Sequence, residues 1–183
     1  VVVRSELVGQ RHSERALPMV DSILRDTRTA LGDLDVIAFG AGPGSFTGLR
    51  IACGLAQGLA WGAGKQVIAV GNLMALAARV FEQAPDCRSV LCAIDARMHE
   101  AYCAVYQRGP QILEVLAPQL ARPAELAALA RDADDLVVLL GFRAVVDVYE
   151  RCDVTRRRFR EPPRHVLPVP LHEYEGDDAL EHD

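Results

Sequence analysis

The sequence of 183 residues lacks a surplus of positive charge: 20 Lys and Arg stand against 25 Asp and Glu, a net charge of −5. That balance excludes the broad cationic footprint by which proteins hold nucleic acid without regard to sequence. Arg156-Arg157-Arg158-Phe159-Arg160 is a local exception, and so short a charge run is ordinarily a solvated face. No apolar run is long enough to span a bilayer. The five cysteines, Cys53, Cys87, Cys92, Cys103 and Cys152, form no C-x-x-C. Most sit in apolar runs, which predicts reduced, buried thiols in a cytoplasmic protein rather than disulfides or a metal site. Also missing are H-E-x-x-H, G-x-x-x-x-G-K-[ST], G-x-G-x-x-G and the G-x-S-x-G elbow. His12 and Glu14 make an isolated H-x-E with no second His nearby, and His99, His165, His172 and His182 are scattered. No set of three or four ligands suited to zinc is legible.

What the sequence does hold is a glycine-rich centre, Gly40–Gly64, reading GAGPGSFTGLRIACGLAQGLAWGAG. It follows the apolar run Val36–Phe39, so strand, turn and helix are expected in that order. Ser45 or Thr47 is placed to cap the helix. Free amides at such a start attract a phosphate or carboxylate, with Gly42, Gly44, Ser45, Thr47 and Gly48 as the candidate anion loop. The competing reading is a tight turn that lets the helix pack closely, because no Lys immediately follows to reach a β- or γ-phosphate. Beyond the turn, Gly54, Gly58 and Gly62 recur every fourth residue and share one face. Glycine inside a helix costs roughly 1 kcal/mol against alanine. The stripe is therefore expected to be a packing surface, inside the domain or between subunits. Ile51, Leu55 and Leu59 form the larger apolar stripe expected to meet the sheet.

The remaining chain alternates in type. Val1–Val3 reads as a strand caught in mid-course. Ser13–Leu31 has helical periodicity, with Pro18 expected to limit or kink the first turn. Val67–Val70 reads as a strand, and the segment beginning at Asn72, a candidate cap, as a helix. Gln83–Asp86 resembles a hinge, giving expected domains of 1–85 and 86–183. The second half restarts with Val90–Ile94 and returns through Ala101–Tyr106 as a hairpin. Ile112–Leu116 is an expected third strand, Pro123–Arg131 a helix with Pro in its first turn, Leu136–Leu140 a buried strand and Val145–Cys152 a helix. From Thr155 the periodicity fails, and Glu173–Asp183 is acidic. Strands alternating with helices, then a hairpin-led half, indicate an α/β class with two related halves. Asp95 and Arg97 flank the hairpin tip. The carboxylate there could orient a metal-bound phosphate or a partner Arg, or could bond its own turn.

Three stretches together resemble one family: His12–Val20 (HSERALPMV), Gly42–Arg50 (GPGSFTGLR) and Ala93–Met98 (AIDARM). They are similar in order and spacing to TsaB, also called YeaZ, over roughly residues 1–106. The resemblance implies an actin/Hsp70/sugar-kinase-like (ASKHA) fold of ribonuclease-H-like halves, here with the first half lacking its opening strands. It implies an accessory, non-catalytic subunit for threonylcarbamoyladenosine modification of tRNAs that read codons beginning with A. Its implied partners are a catalytic TsaD-type paralogue and a TsaE-type ATPase, with homodimer formation when alone and tRNA met only through the complex. Leu17, Val20 and Leu24 on the first helix, with Gly54, Gly58 and Gly62, become the expected partner interface. Gly42–Gly48 with Asp95 and Arg97 become the anion or nucleotide residues.

In the catalytic paralogue the stretch after the glycine helix carries two metal-binding His. The corresponding stretch here resembles Ala69–Leu76, where Asn72 and Leu76 stand in the ligand positions. Leu cannot ligate a metal and Asn replaces imidazole poorly, so no metal and no cofactor are expected in this chain, ATP or ADP belonging to the assembled complex. The alternatives are an ATP-binding kinase or ATPase of the same fold and, behind it, a glycoprotease-like metallopeptidase.

Overall fold

A computed structural model describes residues 1–6, 11–132 and 136–140. The expected Val145–Cys152 helix, the Arg156–Arg160 run and the acidic Glu173–Asp183 segment lie outside the described residues. The chain is mixed α/β and divides into two compact units, one holding Val1–Val70 and the other beginning at Gly71. The expected boundary at Pro85 lies one helix further on.

In the first unit, α1 (His12–Thr27) leads through a 3-10 turn (Leu31–Asp33) to β1 (Val36–Gly40), α2 (Phe46–Ala63) and β2 (Gln66–Val70). Strands β1 and β2 pair in parallel, in register from Val36↔Gln66 to Gly40↔Val70. Helix α2 is the crossover and packs on β1, as a parallel pair requires. Helix α1 packs on α2.

Two expectations for α1 are corrected. The helix starts at His12 and runs through Pro18, so the proline does not limit its first turn. It ends at Thr27 rather than Leu31. Arg28 turns left-handed at φ 53, with Arg28 N–H and Thr29 N–H donating to the carbonyls of Arg25 and Leu24. Such a cap satisfies the orphan carbonyls of the last turn and stops the helix. Glu14 in the first turn and Arg25 in the last complement the helix dipole. The expected strand at Val1–Val3 does not form. These residues are exposed and join no ladder, and a β-strand without a pairing partner leaves its backbone groups to water. Arg4 is instead paired with Asp26, and Arg15 with Glu6 at 2.7 Å, holding the segment beside α1.

In the second unit, α3 (Asn72–Gln83) is followed by β3 (Ser89–Arg97), β4 (Glu100–Gln107), β5 (Leu113–Ala121), α4 (Pro123–Asp132) and β6 (Leu136–Leu140). The sheet order is β5-β4-β3-β6. The first three strands form an antiparallel meander and β6 joins β3 in parallel. One face carries α3: Leu73, Ala77, Val80 and Phe81 pack with Val90, Cys92, Ala104 and Tyr106. The other face packs Leu91, Ala93, Ala101 and Cys103 with Ala121 and Leu126 of α4. Burial on both faces explains why Val90–Ile94 reads as a continuous apolar run rather than an alternating one. The third strand extends well past the expected Leu116.

Asn72 is not the cap of α3. It is the first helical residue, and Gly71 stands at the cap without a side-chain bond. The far end of α3 is secured by Arg108, which follows β4. Its guanidinium donates to the carbonyls of Cys87 at 2.8 Å, Ala84 at 2.8 Å and Phe81 at 2.5 Å, and lies 4.8 Å from the Phe81 ring centre. No described helix is long and apolar enough to cross a membrane.

Candidate docking face and glycine turn

The strand β1 ends at Gly40, and the turn that follows approaches its own helix closely. Gly42 has φ +102, and a Cβ placed there would lie 3.0 Å from Leu49 Cδ1. Only glycine meets both demands, the positive φ and the contact. Ser45 then caps α2: its Oγ accepts the Gly48 N–H at 3.3 Å. Of the two expected caps, the structure uses Ser45, and Thr47 lies exposed inside the first turn. The cap occupies one of the amides that would otherwise serve an anion. Gly44 is half-buried in the turn, and a Cβ at Gly48 would make only ordinary 3.5 Å contacts with Ser45. Arg50, the nearest cation along the helix, lies over the Phe46 ring at 3.9 Å.

Helix α2 has two dissimilar faces. Ala56 and Ala60 are buried at 4% and 3% exposure, and their small side chains suit the close approach of this helix to β1. Ile51, Leu55 and Leu59, the stripe expected to meet the sheet, are half-buried. The glycine stripe points elsewhere. Gly54, Gly58 and Gly62 are exposed, and a Cβ on any of them would meet no other atom within 4 Å among the described residues. Among the described residues, therefore, no side chain packs on the stripe. On α1, Leu17 is exposed while Val20 and Leu24 are half-buried.

Two residues that sequence reasoning missed extend this exposed face. Phe46 is 67% exposed and Trp61 is 92% exposed. The signal was legible: Phe46, Arg50, Gly54, Gly58 and Gly62 follow one four-residue spacing. Trp61, the single tryptophan of the chain, stands three residues after Gly58. A solvent-facing tryptophan beside a backbone-exposing stripe is the composition favoured at protein interfaces.

Asp95 and Arg97 belong to the second unit and the glycine turn to the first. Asp95 lies at a bulge near the end of β3, where its Oδ1 accepts the Arg97 N–H at 2.7 Å. Arg97, Met98 and His99 all have positive φ, at 66, 52 and 60. The carboxylate thus bonds the turn it opens, one of the two roles open to it from sequence. Burial raises its pKa above the ordinary Asp value, opposed by the Arg97 N–H bond.

Asn72 and Leu76 lie one turn apart on α3, and Leu76 packs against the core beneath that helix. Among the described residues, no three His, Cys, Asp or Glu side chains are grouped to hold a metal ion. The thiols of Cys92 and Cys103 are pushed up by burial, that of Cys92 to about 12, which removes them from nucleophilic chemistry near neutrality.

The profile of the family described as "TsaD: tRNA N6-adenosine threonylcarbamoyltransferase" matches residues 3–137. The tRNA threonylcarbamoyladenosine biosynthesis protein TsaB of Haemophilus influenzae is 49% identical over 98 residues, 54% of this chain and 41% of that one. The protein of the same name in Escherichia coli is 46% identical over 122 residues, 63% of this chain and 52% of that one. The chain spans about half the length of these curated relatives. The solved structure of YeaZ from Pseudomonas aeruginosa superposes with a TM-score of 0.60 at 29% identity, covering 91% of this chain and 87% of that one. With GPGSFTGLR forming the capped turn and IDARM the strained hairpin tip, the chain belongs to the TsaB (YeaZ) branch of the TsaD-type family.

Proposed function

We propose that this protein is a non-catalytic subunit in the synthesis of threonylcarbamoyladenosine on tRNA, acting in the cytoplasm by docking to a catalytic TsaD-type paralogue. The observation that carries the reading is the open face of α2. Three glycines at helical spacing, with no neighbour within 4 Å among the described residues and with Phe46 and Trp61 exposed on the same helix, expose a helix backbone that a second helix can approach closely. On this reading Leu17, Val20 and Leu24 on α1 also belong to the interface. A second copy of this chain competes for the same face when the paralogue is absent, because a self-complementary patch closes a two-fold dimer. The pathway is supported by the names of the relatives, and the non-catalytic role by Asn72 and Leu76 in place of a ligating pair. The two compact units correspond, on this reading, to the two halves of an actin-like fold. A TsaE-type ATPase and tRNA join through the complex, and nucleotide binds there rather than to this chain alone.

The test has two parts. Co-expression with the paralogue is expected to yield a stable complex that the Gly58→Leu substitution weakens. Depletion of this protein is expected to lower threonylcarbamoyladenosine in digested tRNA. Normal nucleoside levels without the protein overturn the pathway reading. A complex unaffected by Gly58→Leu overturns the docking face alone.

A further inference from the structure

We draw no further inference here: the strongest candidate, the apolar outer edge of the four-stranded sheet along β5, where Leu113, Val115 and Leu120 stand exposed, carries nothing because nothing in the structure shows what covers it.

Discussion

Replacing Gly58 with leucine tests the docking face through two effects of opposite sign. In the monomer a Cβ at Gly58 meets no other atom within 4 Å among the described residues, so the larger side chain enters space that those residues leave open. Glycine in a helix interior is disfavoured by about 0.8–1 kcal/mol against alanine, and leucine is nearly as good a helix former as alanine. The free protein is therefore expected to gain about 0.5–1 kcal/mol, a rise in Tm of roughly 2 °C for a chain of this size. In the complex the same side chain wedges two backbones apart. Overpacking of a close interface costs about 1–3 kcal/mol, and each 1.4 kcal/mol is about tenfold in affinity. Binding to the paralogue, or to a second copy, is expected to weaken roughly 5- to 150-fold. The control is Gly32→Leu, at a position equally open but in the 3-10 turn, which leaves binding unchanged. Thermal melts of the free protein and titration calorimetry with the partner read the two effects separately. Unchanged affinity would refute the docking face. A destabilised variant at concentrations where the protein is monomeric would show that residues of the chain itself pack on the stripe.

Removing Arg108 tests the clip on α3: Arg108→Ala is expected to lower stability by about 1–3 kcal/mol in urea titration, since charge-assisted bonds to three carbonyls are lost. Arg108→Lys should restore only part, as a single ammonium cannot reproduce the guanidinium fork; full restoration, or a loss below about 0.5 kcal/mol for the alanine variant, contradicts the assignment. Ser45→Ala is expected to cost about 1 kcal/mol through loss of the N-cap, with Ser45→Asp close to neutral; equal stability of wild type and Ser45→Ala in chemical denaturation speaks against the cap. The Cys92 thiol, raised in the fold to about 12, keeps its proton where the unfolded chain loses it above the ordinary thiol value of 9.0. Stability contributed by this thiol is then complete below pH 9 and falls between there and pH 12, at up to about 1.4 kcal/mol per pH unit. Cys92→Ala should flatten that part of the pH profile, and an unaltered slope counts against the burial cause.

Legibility from sequence followed how local each determinant was. The turn at Gly42–Gly48 and its Ser45 cap could be read because a strand, a glycine cluster and a helix are encoded within adjacent residues. Gly64 stops α2 with φ 65, a left-handed conformation open to glycine. The end of α1 could not be read. An apolar Leu31 continued the period past Thr27, and only the left-handed Arg28, held by carbonyl bonds, ended it. The Pro118 and Ala117 region of β5 was missed for a different reason. The strand continues past Leu116 through register shifts opposite Cys103–Val105, and a bulge absorbs residues that a regular ladder would reject. The orientation of the glycine stripe was legible as one face but not as inside or outside, because periodicity fixes which residues are neighbours on a helix and not which direction they face. Trp61 was overlooked because it stands three residues after Gly58, off the four-residue spacing of the glycines.

The choice between docking and internal packing turns on where the cost of the glycines is recovered. Three glycines in α2 disfavour that helix by about 2–3 kcal/mol relative to alanines. That is a large fraction of the stability of an ordinary domain, about 5–15 kcal/mol. At Gly42 the compensation is visible in the chain, since the positive φ and the Leu49 contact require glycine. At Gly54, Gly58 and Gly62 no such contact exists within the described residues, so the described residues supply no compensating packing on this face. The same face leaves Trp61 in solvent. Covering one such ring removes on the order of 150–250 Å² from water. At about 25 cal/mol per Å² that is roughly 4–6 kcal/mol before the costs of association, comparable with or larger than the glycine penalty. A close-packed partner helix supplies both gains together, backbone approach at the glycines and burial of the indole, and the arrangement loses its energetic logic if the face stays wet.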